Sequence, residues 1–413
     1  MKHKFVTCMW IITLLCNVNH VSIAQEWSQW RGPNRDGIVT EFSMPKIWPD
    51  ALELKWKVEV GTGHASPIVA NGKIYLHTRQ DDREVVSSLN LDTGELLWRK
   101  DYPAPYKMNP AARGHGKGPK STPVLHEGKL YTLGISGILS CFDTETGNIK
   151  WQKEFSNQFE KTSPTFGTAM SPIIVDTFLI AHVGGHDDGA LIAFDVETGD
   201  IRWRWDEDGP GYTSPIAVEL QGTTQIVTQT ENYIIGVSAD TGEQLWEIPF
   251  TTSYDQNIVT PLVYQQMLIF SGLEKGTMGV KVTKQGNEWS TEQIWHNPDV
   301  SMYMNSPVLS GNLLFGLSHK RSGQFFCLDA RNGSTLWTSK GRQGKNAMIL
   351  SAGEMLFLLT NDAELIVAKQ SAKGFEPIAR YAVADSPTWA HPVVLDKHIL
   401  IKDAKTVALW RVE

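Results

Sequence analysis

The sequence predicts an all-β protein, an eight-bladed β-propeller of four-stranded antiparallel blades, closed by pairing of the N- and C-terminal strands. Three observations support this fold class. A hairpin motif with Gly and Trp at fixed spacing recurs along the chain, and a second pair of short strands precedes each hairpin. Eight such units begin but only seven are complete, which indicates a ring that closes by joining the two ends of the chain.

The hairpin motif occurs five times with the same spacing between its Gly and its Trp. Its full form, "AFDVETGDIRW" at 193–203, contains Ala193, Asp195, Thr198, Gly199 and Trp203. The equivalent tryptophans of the other copies are Trp98, Trp151, Trp246 and Trp337. A polar Asx/Thr/Gly turn between stretches of alternating small and large residues is typical of a β-hairpin. The recurring Trp supplies a large apolar surface for packing.

The second repeated element consists of two short strands around a tight polar turn, as in "SPIVANGKIYLHT" from residue 66. With the hairpin it makes a four-stranded unit of about 45 residues, a length typical of propeller blades. The fifth and seventh units lack the regular hairpin. The units begin near Pro67, Pro123, Pro172, Pro215, Pro261, Pro307, Ile349 and Pro392.

The last unit ends at "TVALWRVE", after its third strand. The stretch "LELKWKVEV" at 52–60 stands before the first unit and resembles an outer strand, with Trp56 in the Trp position. We expect this strand to complete the eighth blade, which removes the open sheet edges. A parallel β-solenoid is the alternative, but its rungs are shorter and poorer in Trp.

The chain divides into three parts. Residues 1–24 have the features of a signal peptide: Lys2 and Lys4, the apolar run "FVTCMWIITLLC", and small residues before Gln25. A retained N-terminal anchor is the alternative. Residues 25–51 are an N-terminal extension, and 52–413 form one propeller domain. No later segment is long and apolar enough to span a membrane, so we expect export to the periplasm or the extracellular space.

Charge and cysteine content narrow the function. The chain has a net charge of −7 at pH 7, which argues against a nucleic-acid or anionic-membrane partner. Beyond the signal peptide only Cys141 and Cys327 remain, at the same motif position in the second and sixth units. They should lie on opposite sides of the ring as buried free thiols, because a disulfide needs Cα atoms within about 7 Å.

The motif with Ala193, Asp195, Thr198, Gly199 and Trp203 resembles the blade motif of the quinoprotein family. That family comprises pyrroloquinoline quinone (PQQ) dehydrogenases and non-enzymatic relatives with PQQ-like repeats. The stretch "WSQWRGPNRDG" at 27–37 resembles the start of exported relatives of the scaffold propeller of the outer-membrane BAM complex. The resemblance covers nearly all of the chain after residue 24. It implies that the motif is a tryptophan girdle that docks neighbouring blades, and not a ligand site.

Binding residues are therefore expected on the opposite face of the ring, beside the central channel. This channel face carries the links between blades and the loops between the second and third strands of each blade. The links contribute His64, Lys120, Tyr212, Asn257, Tyr303, Asn305, Trp389 and His391, and the loop "HKRSG" contributes His319, Lys320 and Arg321.

Two features of the channel face suggest specific chemistry. The long link at 103–121 brings Arg113, His115, Lys117 and Lys120, a cationic group suited to carboxylate, sulfate or phosphate. A solvated insertion is the plainer interpretation of this link. The loop "GGHDDG" is interpreted as a turn with solvated Asp residues, and no metal is expected; His186, Asp187 and Asp188 are the candidate ligands in the alternative that a divalent ion binds there.

The leading functional hypothesis is a non-catalytic binding or scaffolding propeller of the cell envelope, with an envelope protein, small molecule or glycan at the channel face. No cofactor is expected. The alternatives are a carbohydrate-active propeller and a PQQ-dependent dehydrogenase of alcohols or sugars, which would require Ca²⁺ and a quinone. The adjacent cysteines that often cover the quinone in the family are missing here, and the chain contains no Ser/His/Asp, zinc or dinucleotide motif.

Overall fold

The structure is a computed structural model that describes residues 26–413; the predicted signal peptide lies outside the described residues. Eight sheets succeed one another along the chain, as predicted for an eight-bladed propeller. Each blade has four antiparallel strands, and neighbouring blades contact each other through their first strands, which surround the channel. This confirms the predicted fold class.

Two strands precede the first complete blade, namely β1 (Ile38–Val39) and β2 (Glu53–Glu59). Blades 1 and 2 follow, from the channel outward, with β3 (Ile68–Ala70), β4 (Lys73–Gln80), β5 (Arg83–Asn90), β6 (Leu96–Pro103), β7 (Val124–His126), β8 (Lys129–Leu133), β9 (Leu139–Asp143) and β10 (Ile149–Lys153). Blades 3 and 4 contain β11 (Ile173–Val175), β12 (Phe178–Gly185), β13 (Asp188–Asp195), β14 (Ile201–Trp205), β15 (Ile216–Leu220), β16 (Thr223–Gln229), β17 (Tyr233–Ser238) and β18 (Gln244–Pro249).

The second half of the ring repeats this order. Blades 5 and 6 contain β19 (Leu262–Tyr264), β20 (Met267–Gly272), β21 (Gly276–Gln285), β22 (Glu288–Asn297), β23 (Val308–Ser310), β24 (Leu313–Ser318), β25 (Gln324–Asp329) and β26 (Thr335–Thr338). Blades 7 and 8 contain β27 (Ala347–Ala352), β28 (Met355–Thr360), β29 (Glu364–Lys369), β30 (Pro377–Ala382), β31 (Val393–Leu395), β32 (His398–Lys402) and β33 (Thr406–Arg411). Short 3-10 helices lie at Pro110–His115, Ser253–Asp255 and Lys320–Ser322.

Closure of the ring follows the prediction. β2 pairs antiparallel with β33, with Trp56 opposite Leu409 and Glu59 opposite Thr406. β2 is therefore the outer strand of blade 8, whose other three strands come from the end of the chain. Pairing the two ends of the chain gives blade 8 four strands, like the other blades. Without β2, the outer edge of β33 would be unpaired.

Turn chemistry explains the repeated hairpin. Asp195 Oδ1 accepts the backbone N–H groups of Glu197 at 2.9 Å and Thr198 at 3.0 Å, which forms an Asx turn. Gly199 follows with φ +70°, a conformation that disfavours any side chain. Asp143 and Asp329 accept the equivalent bonds in blades 2 and 6. Local hydrogen bonds therefore fix the hairpin independently of its neighbours.

In six blades the Trp of the outer strand docks on the next blade. Trp203 Nε1 donates to the Ala239 carbonyl of blade 4 at 2.8 Å, and its ring lies so close to Gly242 that a Cβ there would be 2.5 Å away. The glycine thus serves both the turn and the close approach of the ring. The same packing joins Trp98 to Gly147, Trp151 to Gly199, Trp295 to Gly333 and Trp56 to Gly94.

The girdle differs from the five repeated copies in two places. Trp295 occupies the docking position in blade 5 although its hairpin is irregular, and its Nε1 donates to the Ala330 carbonyl at 3.2 Å. Trp246 donates instead to Gln225 Oε1 within its own blade. Blade 5 has no Thr-Gly hairpin on which Trp246 could dock, so the indole N–H bonds to a residue of its own blade.

A belt of hydroxyl groups joins the blades near the channel. The backbone N–H of Ser66 donates to Thr122 Oγ1 at 3.0 Å, that of Thr122 to Ser171 Oγ at 2.9 Å, and that of Ser171 to Ser214 Oγ at 2.9 Å. The His391 N–H donates to Ser66 Oγ at 2.8 Å, which carries the belt across the junction of blades 8 and 1. In the first six units, the Ser or Thr before the Pro forms such a hydrogen bond between blades, which the repeat alone did not reveal.

The N-terminal segment, residues 26–51, crosses the inside of the ring. It contacts blade 1 through Trp27 and Val69, blade 2 through the Ser28 carbonyl and the Leu125 N–H, and blade 3 through Arg35 and the Pro172 carbonyl. It contacts blade 6 through Arg31 and the Pro307 carbonyl, blade 7 through the pairing of β1 with β27, and blade 8 through Phe42 and Asp396. The sequence predicted an extension here but not this path. The segment therefore occupies part of the channel.

Two further features bear on earlier expectations. Cys141 and Cys327 are free and buried, as predicted. Within residues 26–413, no helix has the length and apolar character needed to cross a bilayer.

Candidate ligand cavity in the central channel

The central channel contains two adjoining chambers of about 120 and 140 Å³, which we call the channel cavity. Both chambers are bounded by His64, Lys120, Ala169, Tyr212, Ile258, Met304 and Trp389. The outer chamber adds His115, Phe166 and Gln256, whereas Trp30, Asn346, His391 and the hydroxyl belt line the inner chamber. A dry cavity of about 150 Å³ holds one benzene molecule, so each chamber fits one small group of a ligand.

Aromatic rings form one wall of the channel cavity. The rings of His64 and Trp389 stack with their centroids 5.6 Å apart and an interplanar angle of 16°. His115 stands edge-on to both, 6.0 Å from His64 and 5.2 Å from Trp389. Across the outer chamber, Phe166 meets Tyr212 edge-on at 5.9 Å. These contacts fix the shape of the cavity mouth.

Two lysines place positive charge at the cavity: Lys120, which is partly buried and lines both chambers, and Lys402, which is buried and bonds to the backbone next to His64. Lys120 Nζ donates to the Phe166 carbonyl, and burial lowers the pKa of this amine to about 8. Lys402 is fully buried and donates to the Gly63 carbonyl at 2.6 Å; burial lowers its pKa to about 8 as well, although Asp403 opposes the shift. Among the described residues that line the two chambers, none is Asp or Glu. Anions are therefore attracted to this cavity.

The histidines of the cavity act as neutral hydrogen-bonding groups. Burial holds the pKa of His64 well below its usual value, and Lys120 and Lys402 lower it further. Burial and then Arg31 do the same for the pKa of His391. At neutral pH these imidazoles are uncharged, so each offers one donor and one acceptor nitrogen.

Trp30 forms the floor of the inner chamber and carries two cations. The guanidinium carbons of Arg31 and Arg35 each lie 5.4 Å from the Trp30 ring centroid, and His391 contacts that ring edge-on at 5.5 Å. Arg31 is 0% and Arg35 3% exposed. Both donate to backbone carbonyls and neither forms an ion pair with a carboxylate in the described chain. Burial lowers the pKa of Arg31 to about 10 and that of Arg35 to about 9.

Several buried polar atoms around the inner chamber have no partner in the described chain. They are Arg31 Nε and Nη1, Arg35 Nε, His391 Nδ1 and Asn346 Oδ1. Buried polar groups in native proteins are nearly always hydrogen-bonded to protein, water or ligand. Of these atoms, His391 Nδ1 and Asn346 Oδ1 belong to residues that line the chamber, so the cavity has unmet hydrogen-bonding capacity for a polar guest.

The structure brings six of the predicted channel-face residues together at this cavity, namely His64, His115, Lys120, Tyr212, Trp389 and His391. Arg113 and Lys117 belong to the same long link but are exposed and line neither chamber. Of the predicted cationic group, His115 and Lys120 line the cavity, and Lys120 supplies the positive charge, because burial lowers the pKa of His115. The other cations near the cavity are Arg31, Arg35 and Lys402.

The other predicted residues have local roles. Asn257 Nδ2 donates to the Thr230, Glu231 and Phe250 carbonyls, and Asn305 exchanges hydrogen bonds with the Leu317 backbone. Tyr303 donates to Gln256 Oε1. His319, Lys320 and Arg321 lie in a separate turn, where His319 Nδ1 contacts the Ser301 carbonyl and Lys320 donates to that of Pro298. None of these six lines either chamber.

The carboxylates next to His186 are not those that the sequence suggested. Asp187 is exposed, and Asp188 Oδ2 accepts the Glu160 N–H, so these two carboxylates are not the partners of His186. Glu231 and Asp255 approach it instead. They come from blade 4 and the following link, and no sequence proximity pointed to them.

Sequence reasoning also missed the cavity floor. Trp30, Arg31 and Arg35 all fall within "WSQWRGPNRDG", which was noticed only for its resemblance to related proteins. Phe166 and Gln256 were missed because they lie in irregular links without a repeated motif. Nothing local marks these residues as neighbours.

The residues of the cavity do not fit PQQ with Ca²⁺. Calcium requires six to eight oxygen ligands, commonly including carboxylates, and no carboxylate lines the described chambers. His64 covers one face of Trp389, on which a quinone ring would stack. Each chamber also has room for only one small ring. We therefore derive no chemical step through a quinone.

Fold and cavity together define a β-propeller with PQQ-like blades and a cationic channel pocket. A family model described as "Outer membrane protein assembly factor BamB" matches residues 82–339, and the chain belongs to this family. The protein of that name from Shewanella oneidensis is 24% identical over 372 residues, covering 85% of this chain and 86% of the relative.

Solved structures agree on the fold. Quinohemoprotein alcohol dehydrogenase from Comamonas testosteroni superposes with a TM-score of 0.65 at 14% identity, covering 94% of this chain and 80% of that one. BamB from Moraxella catarrhalis superposes with a TM-score of 0.59 at 14% identity, covering 87% and 100%. Enzymes and assembly factors thus share this architecture, so function must be argued from the site.

Proposed function

We propose that the protein is a non-catalytic scaffolding propeller of the cell envelope that holds an anionic group of a partner protein in the channel cavity. One observation carries the proposal: Lys120 lines both chambers, the buried cations of Arg31, Arg35 and Lys402 lie against or next to their lining residues, and no carboxylate of residues 26–413 lines them. Burying unpaired charge is costly. A bound carboxylate would offset that cost by pairing with Lys120, and the positive charges of Arg31 and Arg35 beside Trp30 would favour its entry into the inner chamber.

The size of the cavity supports a protein partner. Each chamber fits an Asp or Glu side chain or a chain-terminal carboxylate, while the rest of the ligand must remain outside on the channel face. The long link with its exposed Arg113 and Lys117 flanks the mouth and offers further contacts to an acidic surface.

Location in the envelope is part of the proposal. The predicted signal peptide supports export, and a relative covering most of the chain is named an outer membrane protein assembly factor. Net charge of −7 with a local positive cavity favours a specific anionic contact over general adhesion to anionic surfaces.

The test uses peptides as defined probes. We expect the protein without residues 1–24 to bind acidic peptides with a free C-terminal carboxylate, and to bind the same peptides at least tenfold more weakly when all carboxylates are amidated. Cross-linking in envelope extracts should then capture one set of partners with wild type and lose it with Lys120→Met. Equal affinity for free and amidated peptides would overturn the proposal.

The dehydrogenase alternative has a separate test. Incubation with PQQ and Ca²⁺ should give no stoichiometric quinone absorbance and no dye-linked oxidation of alcohols or sugars, because the cavity offers no carboxylate ligand. Saturable PQQ binding with turnover would replace the scaffold proposal by an enzyme. Selective binding on a glycan array, without peptide binding, would favour a carbohydrate-binding propeller.

A further inference from the structure

We propose that His186, Glu231 and Asp255 form a divalent metal site that ties blades 3 and 4 to the link before blade 5. His186 lies in the turn between β12 and β13, Glu231 in the loop between β16 and β17, and Asp255 ends the 3-10 helix Ser253–Asp255. One imidazole nitrogen and one oxygen of each carboxylate lie within 4.8 Å of one another. Three separate elements thus converge their ligand atoms on one point.

The imidazole of His186 is arranged as metal-binding histidines commonly are. Its side chain is buried, and its Nδ1 has no hydrogen-bond partner, although Glu231 Oε2 lies 3.5 Å away. The other nitrogen, Nε2, faces the Tyr212 hydroxyl at 3.3 Å. In metal sites the second ring nitrogen of a ligand usually bonds to an outer group, which fixes the orientation of the ring. Here Tyr212 holds Nε2, and Nδ1 faces the Glu231 carboxylate, so that an ion would bind between the two.

Glu231 supplies the second argument. It is 5% exposed, and among the described residues no Lys or Arg forms an ion pair with it. Its Oε2 accepts the Asp187 N–H at 2.8 Å, which sets the direction of the carboxylate. A buried carboxylate needs a compensating positive charge. A divalent cation beside Nδ1 would supply that charge.

The donor set favours zinc. One nitrogen and two carboxylate oxygens suit Zn²⁺, whereas Ca²⁺ prefers an all-oxygen shell of six to eight ligands. Zinc bonds of about 2.0–2.2 Å in a tetrahedron place the ligand atoms roughly 3.4 Å apart. The link carrying Asp255 would move inward by about an ångström to reach this spacing. Asp255 is partly exposed, so water can fill the fourth position.

The metal site is distinct from the channel cavity but touches it through Tyr212. The same tyrosine lines both chambers and contacts His186. A bound ion would therefore stiffen one wall of the cavity. This inference goes beyond the scaffold function, and its test involves no partner protein.

The experiment is zinc titration of the chelator-treated protein lacking residues 1–24, followed by calorimetry and melting temperature. We expect one Zn²⁺ per chain and a rise in melting temperature on binding. Asp255→Asn should weaken zinc binding at least tenfold while leaving the zinc-free melting temperature unchanged, because this side chain is partly exposed and accepts no hydrogen bond in the described chain. Glu231→Gln should weaken it at least as much.

Asp187→Asn is the matched control, since Asp187 neighbours His186 in sequence but its side chain is exposed. It should bind zinc like wild type. Absence of saturable zinc binding by wild type overturns the proposal. Equal weakening by Asp187→Asn and Asp255→Asn also overturns it, because the ion would then be held by general surface charge.

Discussion

The two faces of the ring solve different problems with the same strands. On the hairpin face, five junctions between blades repeat the packing of a Trp against a Gly of the next blade, as in Trp203 with Gly242. On the channel face, each link contributes a different side chain, such as His64, Tyr212 or Trp389. A repeated residue meets a need that recurs at every blade. A binding site needs asymmetry, and the unique residues are where it is found.

The faces also differ in how they treat charge. On the hairpin face, Asp195 forms an ion pair with Arg202. This pair, together with the hydrogen bond from the Thr198 N–H, lowers the pKa of the Asp195 carboxyl to about 2. In the channel, Lys120 lines both chambers, and none of the described residues that line them is Asp or Glu. Charges on the hairpin face are satisfied within the protein, whereas the channel leaves cations for a ligand.

Ring closure should give the largest effect. Deleting residues 26–60 removes the N-terminal segment and β2, so blade 8 loses its outer strand and the cavity loses its floor. We expect aggregation through exposed strand edges. Deleting only residues 26–51 keeps β2 and should leave a monomer with weaker anion binding. Size-exclusion chromatography with light scattering distinguishes the two; a monomeric 26–60 deletion with an unchanged melting temperature would contradict the role of β2.

On the hairpin face, Trp203→Ala should lower the free energy of unfolding by about 3–5 kcal/mol, since it empties a buried site against Gly242. Denaturant titration measures this change. Anion affinity of the folded variant should stay that of wild type. Loss of affinity without loss of stability would mean that the hairpin face, and not the channel, contacts the ligand.

On the channel face, Lys120→Met should do the opposite of Trp203→Ala and lower anion affinity without lowering stability. We expect anion affinity to fall at least tenfold while the melting temperature stays the same or rises, because a partly buried cation is replaced by an apolar chain of similar length. Lys117→Met is the matched control, since Lys117 lies on the same link but is exposed. The proposed site would be wrong if both variants bound the peptide like wild type.

The smallest effect concerns pH. Burial lowers the pKa of Lys120 and Lys402 to about 8, against 10.5 for the free side chain. Between these values the unfolded chain binds more protons than the folded protein, so stability should rise as the pH increases from about 8 to 10.5. Anion affinity should fall over the same rise, because Lys120 loses its charge. Lys402→Met should flatten the stability curve; an unaltered curve would show that Lys402 titrates normally.

The blades could be predicted because their information is local. An Asx turn, a glycine with positive φ and a Trp four residues later specify a hairpin within eleven residues, whatever the rest of the chain does. Repetition of that hairpin fixed the number of blades, and the unfinished last unit pointed to β2 as its missing strand. Even the irregular fifth hairpin keeps Trp295 in the docking position.

The cavity and the metal cluster were decided by tertiary structure. Arg31 donates to the Pro307 carbonyl, 276 residues along the chain, and His186 of blade 3 contacts Glu231 of blade 4. Such partners depend on where closure of the ring places each link, and no spacing in the sequence encodes that distance. Sequence alone determined the repeated contacts between adjacent strands and blades. The folded ring decided which unique side chains from remote links share the channel, because only closure brings them within bonding distance.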